Sequence, residues 1–144
     1  MMGQVLAAAI GTVAFSVLYS VPRRYYPYCG LIGGMGWLVY CLLVRYVSAT
    51  EATLAAAVCV VLASRIFAVW EKCPVTIFLI TGIFPLVPGG GVYWTAYYIV
   101  SNQMDLAAKT GFNALKVAVA IVLGIVFVFQ VPQKVFQVRV PGKR

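Results

Sequence analysis

The chain has 144 residues, 63% of them hydrophobic and only 10% charged, with a mean hydropathy of +0.97. Soluble domains run nearer about 45–50% apolar and about 25% charged, and a chain this short cannot hide so much apolar surface inside a water-facing fold. The solvent is therefore lipid. The eleven Lys and Arg behind the net charge of +8 sit mostly between and after the apolar runs, as membrane topology places them, rather than marking a nucleic-acid surface.

Crossing the hydrocarbon takes about 20 mostly apolar residues, and five segments of the chain qualify. The first, Gly3–Ser20, is closed by Pro22 and followed by Arg23-Arg24; it lacks the basic start of a signal peptide. Cys29–Val47, Thr50–Trp70, Val75–Val100 and Thr110–Val131 follow, joined by short linkers. The expected fold is all-α: a polytopic membrane protein of about five transmembrane helices, the fourth broken at Pro85–Gly91. A single membrane domain fills residues 1–131, and 132–144 form a basic cytoplasmic tail. With the N-terminus outside, the inner side receives eight basic residues (Arg23, Arg24, Arg65, Lys72, Lys134, Arg139, Lys143, Arg144) and the outer side three (Arg45, Lys109, Lys116). That imbalance predicts N-out, C-in.

Small residues recur at four-residue spacing: Gly3, Ala7 and Gly11; Gly30 and Gly34; Ala52 and Ala56; Ala114 and Ala118. Such faces let membrane helices approach closely. Tyr25, Tyr26 and Tyr28 on one side, and Tyr97 and Tyr98 on the other, suit interfacial aromatic belts. The four cysteines form no C-x-x-C pair and histidine is absent, so neither a metal site nor a disulfide framework is expected, and no cofactor. No clustered carboxylates or base-paired nucleophile suggest an enzyme. The Gly89–Gly91 run lacks the lysine and hydroxyl residue that follow in a phosphate-binding loop.

The fourth segment carries the chemistry. "GIFPLVPGGGVYW", Gly82–Trp94, puts Pro85, Pro88 and three glycines at the midpoint of an apolar run, near mid-membrane. Proline removes a donor and glycine loosens the backbone, so one half-helix should end near Leu86 and another begin near Gly91. Irregular backbone at that depth is tolerated only inside protein or beside a watery cavity. A half-helix N-terminus offers free amides and partial positive charge. One reading therefore aims the amides of Gly89, Gly90 and Gly91 at a substrate carboxylate; the other is a kinked or re-entrant helix packed on a neighbour. Tyr93 could offer a hydroxyl or simply pack. Lys116, with Asn113 one turn before it, and Arg65 lie inside apolar runs, where substrate attraction, pairing and snorkelling are all open. Glu51, Glu71 and Asp105 fall near interfaces, and none makes a buried proton relay.

"CPVTIFLITGIFPLVPGGGVY", Cys73–Tyr93, resembles the signature region of the threonine/serine exporter superfamily, where G-I-x-P-L-V-P-G precedes a tyrosine. "FSVLYSVPRRYYPYCGLIGGMGWLVY", Phe15–Tyr40, resembles the stretch preceding it, with Ser20 where asparagine is usual. The resemblance covers nearly the whole chain and is closest to the small subunit of the split form of such exporters. It implies a bacterial inner-membrane exporter of small carboxylates, succinate and related dicarboxylates first, working with a larger membrane subunit. A threonine/serine exporter subunit, or a non-transporting scaffold that stabilises the larger partner, are the alternatives. The substrate-binding residues it points to are Pro85, Pro88, Gly89, Gly90, Gly91, Tyr93, Asn113 and Lys116.

Overall fold

The computed structural model describes residues 2–132. Among them are six α-helices and no strand: α1 (Met2–Leu18), α2 (Tyr26–Leu43), α3 (Ala49–Glu71), α4 (Thr76–Ile83), α5 (Gly89–Val100) and α6 (Met104–Gln130), with 3-10 turns at Arg23–Tyr25 and Phe84–Leu86. The protein is an all-helical polytopic membrane protein. Three helical stretches, Arg23–Leu43, Ala49–Glu71 and Met104–Gln130, are long and apolar enough to cross a membrane, and Thr76–Leu86 with Gly89–Val100 makes a fourth, bent by 52°. Helix α1 has 17 residues, about 26 Å against a hydrocarbon thickness of roughly 30 Å. The basic tail expected at 132–144 lies, past Pro132, outside the described residues.

Local chemistry fixes the helix ends. Ser48 and Glu51 form a reciprocal capping box at the start of α3, which satisfies two backbone donors that no helical carbonyl reaches. Helices α1, α3 and α5 each end on a residue at positive φ: Ser20 (55°), Lys72 (52°) and Asn102 (58°). The amide that follows each reaches back across the last turn: Val21 to the Ser16 carbonyl (2.9 Å), Cys73 to Ala68 (3.1 Å) and Gln103 to Tyr98 (2.8 Å). These are Schellman stops. They also give a physical reason for asparagine at position 20, because asparagine enters the left-handed region more readily than serine.

Close backbone approach holds the bundle together. A Cβ on Gly33 would stand 2.0 Å from the Thr12 hydroxyl on α1, one on Gly36 2.4 Å from Val60 on α3, and one on Gly82 2.7 Å from Ile32 on α2. Val60 and Ile32 are fully buried, so these glycines set the central layer of α2, α3 and α4. Gly30 and Gly34 pack on Val13 and Ala9 of α1 as their spacing suggests, whereas Gly3 and Gly11 face open space. The expected aromatic belt at Tyr25–Tyr28 is corrected in part: Tyr25 is only 2% exposed and meets Phe78 edge-on at 5.5 Å, while Tyr28 packs on Phe67 at 5.3 Å. Aromatic packing against α3 and α4 takes both rings inward.

Helices α3 and α6 run parallel, with Gly124 against Ala57 and Arg65 bonded to the Val131 carbonyl at 2.8 Å. Helices α5 and α6 form an antiparallel hairpin in which Gly91 rests on Ala114, Gly111 on Thr95, and the Thr95 and Thr110 hydroxyls meet at 3.1 Å. Helix α5 has no buried residue. The α3–α6 register brings Lys116 level with Ala49 and Thr50, at the start of α3, so the earlier part of α6 and all but the base of α5 extend past that end of the bundle. The length of that extension, from Met104 to Lys116, is about 18 Å.

A broken helix over a small cavity

The break is built from two missing donors. Helix α4 ends at Ile83, and a single 3-10 turn follows, closed by the Val87 amide on the Phe84 carbonyl at 3.1 Å. Pro88 has φ −76° and ψ 54°, and the Gly89 amide folds back to the Val87 carbonyl at 2.7 Å. That is an inverse γ-turn. The first helical bond of α5 then runs from the Val92 amide to the Pro88 carbonyl at 3.0 Å. Of the three glycines expected to present amides, Gly89 therefore spends its own within the turn. The Gly90 and Gly91 amides lead α5 with no acceptor among the described residues, at the end of the helix where partial positive charge collects.

Around this turn lies a cavity of about 190 Å3, walled by Trp37 and Tyr40 of α2, Thr53 of α3 and Val117 of α6, with Pro85–Gly90 along one side. The glycines divide by role. A side chain on Gly89 or Gly90 would meet nothing within 4 Å, while one on Gly91 would stand 3.0 Å from the Ala114 Cβ. Gly91 thus permits helix contact, and Gly89 and Gly90 leave room. Among the described residues, no charged side chain lines the cavity. The Thr53 hydroxyl donates to the Ala49 carbonyl at 2.7 Å. The Trp37 indole Nε1 is buried with no partner, its ring centred 5.1 Å from that of Tyr40.

The depth of the break departs from the sequence expectation. Halfway along its own segment, it is level with the first two turns of α3, as the shared cavity wall at Thr53 and the Gly91–Ala114 contact require. Val60, which touches Gly36 and Gly82, marks the middle of α3; the Thr53 level is about 10 Å from it. The Gly82 contact with Val60 and Ile32 fixes that level, and the 52° bend then carries α5 along α6.

Four of the residues singled out in the sequence, Pro85, Pro88, Gly89 and Gly90, come together on the cavity. Gly91 is not among the residues that line it and packs instead on Ala114. Tyr93 is 64% exposed and packs edge-on against Trp94 at 5.5 Å. Asn113 is exposed on α6, as is Lys116, whose ammonium sits 4.7 Å from the centre of the Phe112 ring; none of these three lines the cavity. Arg65 is 5% exposed, and its guanidinium donates to the carbonyls of Val128 and Val131 at the end of α6, with Phe129 beside it at 5.5 Å. It caps a helix that ends short of the full depth of α3 instead of snorkelling to the headgroups. Trp37, Tyr40 and Thr53 were not anticipated. A tryptophan within an apolar helix was the available signal, because its N–H needs a partner once buried.

A polytopic helical bundle with a discontinuous helix, its first amides open to a small cavity, has the form of a membrane transporter component. The chain belongs to the family described as Threonine/Serine exporter, ThrE, whose model matches residues 4–131. It is thus an exporter-type transporter component, and the match ends at the carbonyl of Val131 that Arg65 holds. No solved structure matches the chain.

Proposed function

We propose that this chain is the small subunit of a two-component secondary exporter of small carboxylates, with succinate and related dicarboxylates as the leading substrates. The observation that carries the reading is the break cavity, lined at the start of α5 by Gly89 and Gly90, both beside open space, with the Gly90 amide left without an acceptor among the described residues. Amides at a helix N-terminus suit a carboxylate oxygen. Among the described residues, no acidic side chain lines the cavity to receive the ammonium of an amino acid, which favours a simple carboxylate over threonine or serine. A helix with no buried residue, and a cavity walled partly by it, support a larger membrane subunit that completes the site. The charge distribution supports residence in the bacterial inner membrane with the N-terminus outside and the C-terminus cytoplasmic.

Gly90→Leu tests the reading in the native complex. The leucine enters open space, so the subunits should still co-purify while succinate efflux falls at least about tenfold, as expected when a pocket group blocks a substrate. Normal efflux from an intact complex would leave only the scaffold alternative.

A further inference from the structure

At the end of the bundle away from the break, where α1 stops and α4 starts, lies a second cavity of about 230 Å3. Its rim is polar. Tyr19 and Ser20 follow α1 and Thr76 opens α4; all three are exposed, and none of their hydroxyls has a hydrogen-bond partner among the described residues. Ile77 and Ile80 continue the lining one turn along α4, and the Thr81 hydroxyl beside them already donates to the Ile77 carbonyl at 3.0 Å. The lining thus changes from hydroxyl to hydrocarbon over about 5 Å of helix.

Positive charge borders this rim without a counter-ion. Arg23 follows Pro22 of the lining, is exposed, and has no partner among the described residues. Arg24, by contrast, is engaged: it donates to the Tyr25 hydroxyl and lies 4.4 Å from the centre of that ring. Glu71, the acid nearest along the chain, acts on Tyr28 and Cys73. No acidic side chain among the described residues lines the cavity.

We infer that this cavity binds an anionic phospholipid, its phosphate held by Arg23 and the hydroxyls of Tyr19, Ser20 and Thr76, and its acyl chain lying along Ile77 and Ile80. Phosphate oxygens only accept, and an arginine fork with three unpartnered hydroxyls supplies the donors. Thr76 begins the bent fourth span, so the polar rim lies where headgroups meet a helix end and the isoleucines lie where acyl chains begin. A free dicarboxylate would leave the isoleucine wall uncovered. The site is remote from the break cavity and stands independently of the carboxylate reading.

The test is lipid binding to the full-length protein, with any partner that co-purifies, delipidated in neutral detergent and read by native mass spectrometry. Dioleoylphosphatidylglycerol and dioleoylphosphatidylcholine share acyl chains and differ in net charge. The first should bind about fivefold more tightly, the gain expected from one basic contact to an anionic lipid, and Arg23→Gln should remove that margin. Tyr19→Phe with Thr76→Val should narrow it while Arg23 stays. Lys109→Gln removes the same charge from an exposed position on α6 and should change nothing. Equal affinity for the two lipids overturns the inference, as does an equal loss from Arg23→Gln and Lys109→Gln, which would mean diffuse attraction only. Displacement of the bound lipid by excess glycerol phosphate or succinate also overturns it, because the site would then take a free anion.

Discussion

Replacing Arg65 with methionine separates a structural cation from a substrate-binding one. The guanidinium is buried and donates to two carbonyls of the last turn of α6, those of Val128 and Val131. Hydrogen bonds to a charged group contribute about 1.5–3 kcal/mol each, and a buried carbonyl left without a donor costs about 1–3 kcal/mol. Methionine fills the volume of the stem and relieves the desolvation of the cation, which offsets part of the loss. The net destabilisation should be about 2–4 kcal/mol, on the order of a 10 °C fall in melting temperature for a chain of this size. Arg65→Lys keeps one donor group that reaches one carbonyl at a time, so roughly half of that loss should remain. Thermal unfolding of the purified complex in detergent gives the stability, and efflux kinetics give the half-saturating succinate concentration. Stability should fall in the order wild type, lysine, methionine, with half-saturation unchanged wherever the complex is folded. Wild-type stability with weakened half-saturation would mean that the guanidinium serves the substrate and that the capping argument is wrong.

Ser20→Asn should raise stability by about 0.5 kcal/mol, since the left-handed conformation at φ 55° suits asparagine better; a lower melting temperature would show that the side chain, not the backbone, sets the preference. Gly36→Ala should lower it by about 1–3 kcal/mol, the usual cost of overpacking, because the new methyl would stand 2.4 Å from the stiff, fully buried Val60. Gly11→Ala is the control: nothing lies within 4 Å of that position, so its melting temperature should not fall.

The readable parts of this molecule were those whose cause is local in the chain. Two prolines three residues apart end α4 wherever they are placed, and Ser48 with Glu51 starts α3 in any context. The pairs Gly30–Gly34 and Ala52–Ala56 sit inside as their spacing suggests. What could not be read depends on register between helices distant in sequence. Lys116 looks deep when α6 is considered alone, yet the Gly124–Ala57 contact slides it to the level of the α3 cap. Arg65 looks free to snorkel until α6 ends beside it. Gly33 and Gly36 fall outside the Gly30–Gly34 spacing, although they make the closest approaches in α2. Trp37 joins a cavity wall only once Pro85 of another helix lies across from it.

The same register explains why the cavity is where it is. Tyr40 and Thr53 belong to the part of the bundle fixed by the Gly36–Val60 and Gly82–Ile32 contacts, where backbones are too close to slide. Gly89, Gly90 and Val117 belong to the end of the molecule where α5 lacks any buried residue and leans on α6. One wall is rigid and the other is held by few buried groups, which is where low-energy opening concentrates in a fold. The inverse γ-turn at Pro88 joins them with a single 2.7 Å bond from Gly89 to Val87. Rotation there would change the distance between Gly90 and Tyr40 across the cavity without unpacking α2 from α3. The width of the cavity is therefore sensitive to the angle between α4 and α5.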